Sequence, residues 1–328
     1  MPSKSGIVTG LILMTAIPPL AAQQGRFEGP NSGLLFHLPS HSVRAILGVP
    51  GAAWLSSPFV RGLDFASVAP DGDRALIHSD SGWRLLGQLS ETEPRFRPVE
   101  GVFDGVGRVA WNRKGSFAVL WSPTANGVQR IRISPNGVSV EAPESIAPLA
   151  GTITVLTVDS SGEYVVIGVQ HPESGGLYVM ERGGSPRLVA PMATPADAVF
   201  TGSGRRLFAA DRSTRSLVEL TDVLSPAAIF VDRENTGNMD PIALAVFEDS
   251  LFVANASSHS LLVFSLAERR VTREITLEFE PAGLIPFSRQ PLYLLRSPEG
   301  PGEPAWLLDA RQEPAIWFVP AAEDQKEQ

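Results

Sequence analysis

The stretch Leu251–Ile275, LFVANASSHSLLVFSLAERRVTREI, reads as strand, turn, strand, turn, strand. LFVAN and SLLVFS are apolar runs of strand length, rich in β-branched and aromatic residues. The segments between them carry Asn, Ser and His, which suit turns. Outside the first 22 residues, no segment of ten or more sustains an i, i+3, i+4, i+7 apolar pattern free of Gly and Pro, so helices are not expected.

Weaker copies of this unit recur in both directions. Turns fall at Asp71-Gly72, Lys114-Gly115, Ser161-Gly162, Ser203-Gly204, Asp249-Ser250 and Arg289-Gln290, in steps of 43, 47, 42, 46 and 40 residues. Each is followed by an apolar strand (RALIHS, FAVLWS, YVVIGV, RLFAAD, LFVANA, PLYLLR) and then by another (GWRLLG, VQRIRI, GLYVME, SLVELT, SLLVFS, AWLLDA). Nine residues ahead of each turn lie Leu63, Val106, Ile153, Pro195, Pro241 and Pro281, at the entry of an inner strand, where Pro breaks no ladder bond. Fourth strands are poorer but present, as in REITLEF and AIWFVP. A period of about 40–45 residues with four short strands per unit is that of an all-β, blade-built β-propeller.

Six units are readable. The hairpin Leu34–Pro50 resembles the outer two strands of a seventh, with Gly51–Gly62 as a connector. Six blades with a covering hairpin and seven blades are both open, and seven is favoured. An uncovered edge would leave N–H and C=O groups unpaired.

Phe252-Val253-Ala254-Asn255, followed by the strand Ser258–Ser265, resembles the YVTN-type (WD40/YVTN-like) propeller repeat of bacterial surface and periplasmic proteins. Leu207–Leu220 is a second copy, with Asp211 in place of Asn; Ser79, Ser122, Val169 and Arg296 stand near that position in the other units. The resemblance covers most of Leu34–Pro320, strongly in two units. It implies a fold and a compartment outside the cytoplasm, and says little about activity.

The rest of the composition bounds function mainly by exclusion. Cysteine is absent from the 328 residues, which removes disulfides, thiolate metal sites and a lipoprotein cysteine. The net charge is −8, and no run of Lys and Arg appears, so the linear sequence offers no electrostatic basis for nucleic acid or anionic lipid. Met1–Ala22 reads as a signal peptide: Lys4, an apolar run over Gly6–Leu20, and small residues at Ala21-Ala22. The run is shorter than the ~20 residues of a membrane span, so no stable span is expected once the leader is removed. Residues 23–33 are then a loose lead-in, 34–320 one propeller domain, and 321–328 a frayed charged tail.

Propeller ligands bind near the axis, where Asp64, Arg108, Asp197 and Asp240 stand at inner-strand entries; Thr152 and Glu280 occupy the other two. As a polar ring, Asp64, Asp197 and Asp240 could hold a divalent cation, with Ca²⁺ suited to carboxylate oxygens. Ordinary turn residues bonded to their own backbone are the simpler account. The loop Asp232–Asp240, DRENTGNMD, offers Asp232, Glu234, Asn238 and Asp240, but Ala243 stands where a calcium loop needs a bidentate Glu. A solvated loop is preferred, with Arg108, Glu234 and Asn238 kept as ligand-facing candidates.

His37, His41, His78, His171 and His259 make no HExxH, and there is no G-x-S-x-G elbow. Ser79–Trp83, SDSGW, reads as a hairpin with a packing Trp, and Asn255-Ala256-Ser257 fits a glycosylation sequon. The expectation is an exported, non-catalytic binding or scaffold module, monomeric, periplasmic or extracellular in a bacterium, for a protein, peptide or glycan partner. The alternative is a metal-dependent, lactonase-like hydrolase with an axial cation. A purely structural envelope role is a third.

Overall fold

The computed structural model describes residues 31–87, 95–202, 204–231, 239–300 and 302–321. Among them are seven antiparallel sheets in chain order and one three-residue 3-10 turn, Leu38–Ser40. The second blade runs Phe65–Val68, Ala75–Ser79, Gly82–Gly87 and Arg95–Pro98. The third has Arg108–Trp111, Phe117–Ser122, Gly127–Ser134 and Gly137–Val140, plus Glu144–Ser145 paired on Gly127-Val128. The fourth comprises Thr152–Val158, Tyr164–Gln170, Gly176–Glu181 and Arg187–Pro191, the fifth Pro195–Phe200, Leu207–Asp211, Ser216–Leu220 and Ala228–Val231. The sixth is Pro241–Phe247, Ser250–Asn255, Ser260–Ser265 and Arg270–Thr276, the seventh Ile285–Pro286, Leu292–Arg296, Ala305–Asp309 and Ala315–Val319.

Side chains alternate along the second strands, and each face serves a different neighbour. Ala118 and Leu120 pack with Leu76 and Leu85 of the second blade, whereas Val119 packs with Val165 and Ile167 of the fourth. Seven apolar clusters result, one between each pair of adjacent blades, and the last joins blade seven to blade one. The molecule is therefore a closed seven-bladed β-propeller.

The first blade, Asn31–His37, Ser42–Val49 and Ala52–Leu55, has three strands. Its leading strand starts beside the turns that follow the inner strands of blades two and seven: a Cβ added to Gly33 would lie 2.1 Å from the Phe287 carbonyl oxygen. The turn after its last residue, His37, leads to His41, which exchanges hydrogen bonds with Leu63 at the entry of blade two. That is the direction of a second strand, so the hairpin supplies the second and third strands of its blade, not the outer two as expected. Ala52–Leu55, expected within a connector, is instead the outermost strand, paired to Val49 through Ile46. Four residues after a Gly turn carry too little alternation to be read as a strand. Among the described residues nothing occupies the innermost position of this blade. Leu55 N–H donates to the Pro320 carbonyl at 3.2 Å, and Arg289 pairs with Asp73 at 2.5 Å, tying blade seven across to blades one and two.

The extra strand of blade three has a physical reason. It carries Glu144 to the fully buried Arg130, whose guanidinium also donates to the Gly162 and Glu163 carbonyls of blade four. A buried cation needs such a partner.

Candidate functional site

Two faces of the disc are distinct. The entry face carries the segments leading into inner strands together with the loops after second strands. The hairpin face carries the turns after inner strands and those after third strands.

On the entry face the repeated motif position acts as a fastener. Asn255 is buried; its Oδ1 accepts the Asp240 N–H at 2.6 Å, and its Nδ2 donates to Ser258 Oγ. Asp211 does the same for blade five, accepting the N–H groups of Ala193, Thr194 and Ser213. In blade three, Ser122 Oγ donates to the Asp104 carbonyl and accepts from the Ala125 N–H. Each ties the loop after a second strand to the chain arriving at the inner strand. The matching fasteners on the hairpin face are Asn112 and Asp159, which accept backbone N–H groups on the far side of their turns. The FVAN motif marks Asn255 in the sequence, but this role depends on the loop it meets in space.

Of the four inner-ring candidates, Asp64 and Asp240 fall at separate places, whereas Arg108 and Asp197 lie near enough to feel each other's charge. Asp64 is exposed, 3.2 Å from His78 Nδ1, and His78 in turn packs on Trp83 at 5.0 Å between centroids. Asp240 is held by both arms of Arg212, Nε to Oδ1 at 2.7 Å and Nη2 to Oδ2 at 2.8 Å. Those hydrogen bonds keep its carboxyl below the usual carboxylate range.

Inner strands of blades four, five and six each bulge, at Thr154, Ala196 and Ile242. The bulge in blade four presents the Thr154 carbonyl to the Arg108 guanidinium of blade three. After the bulge in blade five, Asp197 accepts the Ala198 N–H at 2.8 Å and the Leu244 N–H of blade six at 2.7 Å. Burial in the channel wall pushes the Asp197 carboxyl up to about 6, against the pull of those two N–H donors and of Arg108. Burial likewise lowers the Arg108 pKa, opposed by Asp197. Both residues lace neighbouring blades together.

Asp232, Glu234 and Asn238 lie outside the described residues. Among the described residues, no three His, Asp or Glu side chains converge as a metal-ligand group. The histidines serve turns: His37 Nδ1 contacts Ser40 Oγ, and His171 Nδ1 accepts the Glu173 and Ser174 N–H groups. The SDSGW hairpin places Trp83 against His78 and Phe65, as a packing residue.

The hairpin face holds a feature that the linear sequence does not display. Turns from blades two, three, four, five and seven converge on an axial basin of about 520 Å³, lined by Arg74, Arg113, Lys114, Arg289 and Tyr293 among others. A second cavity, of about 530 Å³, adjoins it between blades two and three, and shares Arg74 and Arg289. The Lys/Arg cluster absent from the linear sequence is thus assembled by the ring. Only the blade order could reveal it, because its members come from three separate units.

No family model matches the chain, and no curated protein matches it. Among solved structures it is similar to a chain of the crystal structure of a nidogen/laminin complex, at 12% identity and TM-score 0.49, covering 73% of this chain and 91% of that one. It is also similar to a functionally unknown protein from Desulfotomaculum acetoxidans DSM 771, at 15% identity and TM-score 0.48, covering 72% and 79%. At these identities the likeness concerns backbone shape alone.

Proposed function

We propose that this protein is an exported, non-catalytic propeller of the YVTN type, which binds a partner on its hairpin face. The observation that carries this is the axial basin, to which five blades contribute turns and in which Arg113 and Lys114 stand exposed. The resemblance at Phe252–Asn255 and the leader-like Met1–Ala22 support export to the periplasm or beyond. Propellers host enzymes as well as scaffolds, so the fold does not choose between them. The engagement of the entry-face carboxylates supports the scaffold: Asp240 is taken up by Arg212, and Asp197 by two backbone N–H groups. A cation at Asp240 would have to compete with the Arg212 charge, and one at Asp197 would share oxygens that already accept an N–H each.

Thermal unfolding with EDTA, then with Ca²⁺, Mg²⁺ or Zn²⁺, tests the choice. A site saturated about 100-fold above its Kd would stabilise the fold by about 2.7 kcal/mol. The expected result is no shift with any of the three and no turnover of lactone or ester substrates. A shift abolished by Asp240→Ala or Asp197→Ala, together with turnover, would establish the metal-dependent hydrolase instead.

A further inference from the structure

Resting on the binding-module reading, we infer that the two adjoining cavities of the hairpin face form one groove for an acidic peptide segment of a partner protein. The groove runs from the axis, at Arg113, Lys114 and Arg289, outward between blades two and three to Arg97. Among the described residues, the two cavities are lined by Arg74, Arg97, Arg113, Lys114 and Arg289, and by Arg95, which already has a partner, against two carboxylates, Asp71 and Asp73. Each carboxylate is already matched, Asp71 by Arg74 and Asp73 by Arg289. Arg97 donates to the neutral Pro135 carbonyl, and Arg113 and Lys114 have no ion pair among the described residues. A chain of net charge −8 therefore keeps a local cationic excess along one cleft.

The walls decide the class of ligand. Between the cations Pro135 is exposed, and the largely buried Leu85, Ile133 and Tyr293 show only their edges, a narrow apolar floor beside which a peptide's small apolar side chains can lie. Guanidinium groups match carboxylates bidentately, which gives orientation as well as attraction. A long polyanion would instead lie over the surrounding surface of a net-negative protein and be repelled there. A short acidic segment, confined to the groove, meets only the cationic excess.

The test is fluorescence anisotropy with a fluorescein-labelled peptide of repeated Glu-Leu-Gly units, its Gln-Leu-Gly counterpart, and a single-stranded oligonucleotide of equal charge. The Glu peptide should bind, more weakly in high salt, and the Gln peptide should not. Arg113→Glu with Lys114→Glu, and separately Arg97→Glu, should each weaken binding by about tenfold or more, because like charges then face the ligand. Arg61→Glu, on the entry side, should leave it within about twofold, since the same charge change lies away from the groove. Circular dichroism confirms that each variant is folded.

Equal binding of the Gln peptide, no loss in the groove variants, or tighter binding of the oligonucleotide would each overturn the assignment. Failure of every anionic probe would also overturn it, while the broader binding-module reading would stand. That reading falls only on metal-dependent turnover.

Discussion

The inner-strand entries and the two cavities of the hairpin face are made from the same repeat, yet they dispose of their charged groups in opposite ways. On the entry face Asp240, Asp211 and Asp197 are consumed by Arg212 and by backbone N–H groups, so charge is converted into loop geometry. On the hairpin face Asp159 is spent in the same way, but in the two cavities Asp71 and Asp73 are outnumbered by cations among the described residues, and Arg113 and Lys114 are left facing the basin. The difference teaches that a polar residue near the axis is a ligand candidate only after the fold's own demands on it have been met.

The largest effect expected is on the entry face. Asn255→Ala removes the acceptor of the Asp240 N–H and the donor to Ser258, and should cost about 1–3 kcal/mol. Chemical denaturation would read this directly, and Asn255→Asp, which keeps the acceptor, should recover part of it. An unchanged midpoint in the Ala variant would show that the motif Asn does not fasten the loop.

Next comes a pH effect at Asp197. Its carboxyl is raised to about 6 from an ordinary 3.8, so its ionised form penalises the folded state above that pH. The penalty is relieved as pH falls from about 6 towards 4, where the folded protein takes up a proton that the unfolded chain does not. The Tm difference between wild type and Asp197→Ala should therefore widen in favour of wild type from pH 7 to pH 4.5. A difference independent of pH would mean that the carboxylate is solvated and the entry side more open than described.

Arg212→Ala should matter less, at most about 1 kcal/mol, because both partners are substantially exposed. Asp240 is held below its usual range by Arg212, so this contribution is present above about pH 4 and fades as pH falls through the depressed value. A cost that survives both acid and high salt would show that Arg212 works by packing. The smallest effect on stability belongs to the hairpin face: Arg113→Glu with Lys114→Glu should leave Tm unchanged, as surface substitutions generally do. A marked fall would mean that these cations, like those of the entry face, are already in use.

Most of the architecture was legible because turn chemistry is local. The marker turns at Gly72, Gly115 and Gly162 do take positive φ, at 72°, 61° and 76°, and the strands flanking them match the sequence runs to within a residue or two. In blade five the positive φ falls at Gly202, and in blade six Glu248 adopts it, so the device is kept while its residue changes. What escaped was short or non-local. Ala52–Leu55 and Glu144–Ser145 are too brief to show a period, and Arg130 needed its buried partner Glu144 to be understood. The groove combines Arg289 with Arg74, whose proximity exists only because the ring closes.

That closure bears on how the chain reaches its native state. Six of the seven apolar interfaces join units adjacent in sequence and can form as each unit arrives. The seventh joins Leu35, Ile46 and Leu55 to Phe287, Leu307 and Val319, at nearly the full separation of the chain. Contacts of such span pay the largest loop-closure entropy and form late. From the emergence of Leu35 until Val319 is in place, the first blade presents an uncovered apolar side, and that interval is when the nascent protein is most open to aggregation or to capture by a holdase.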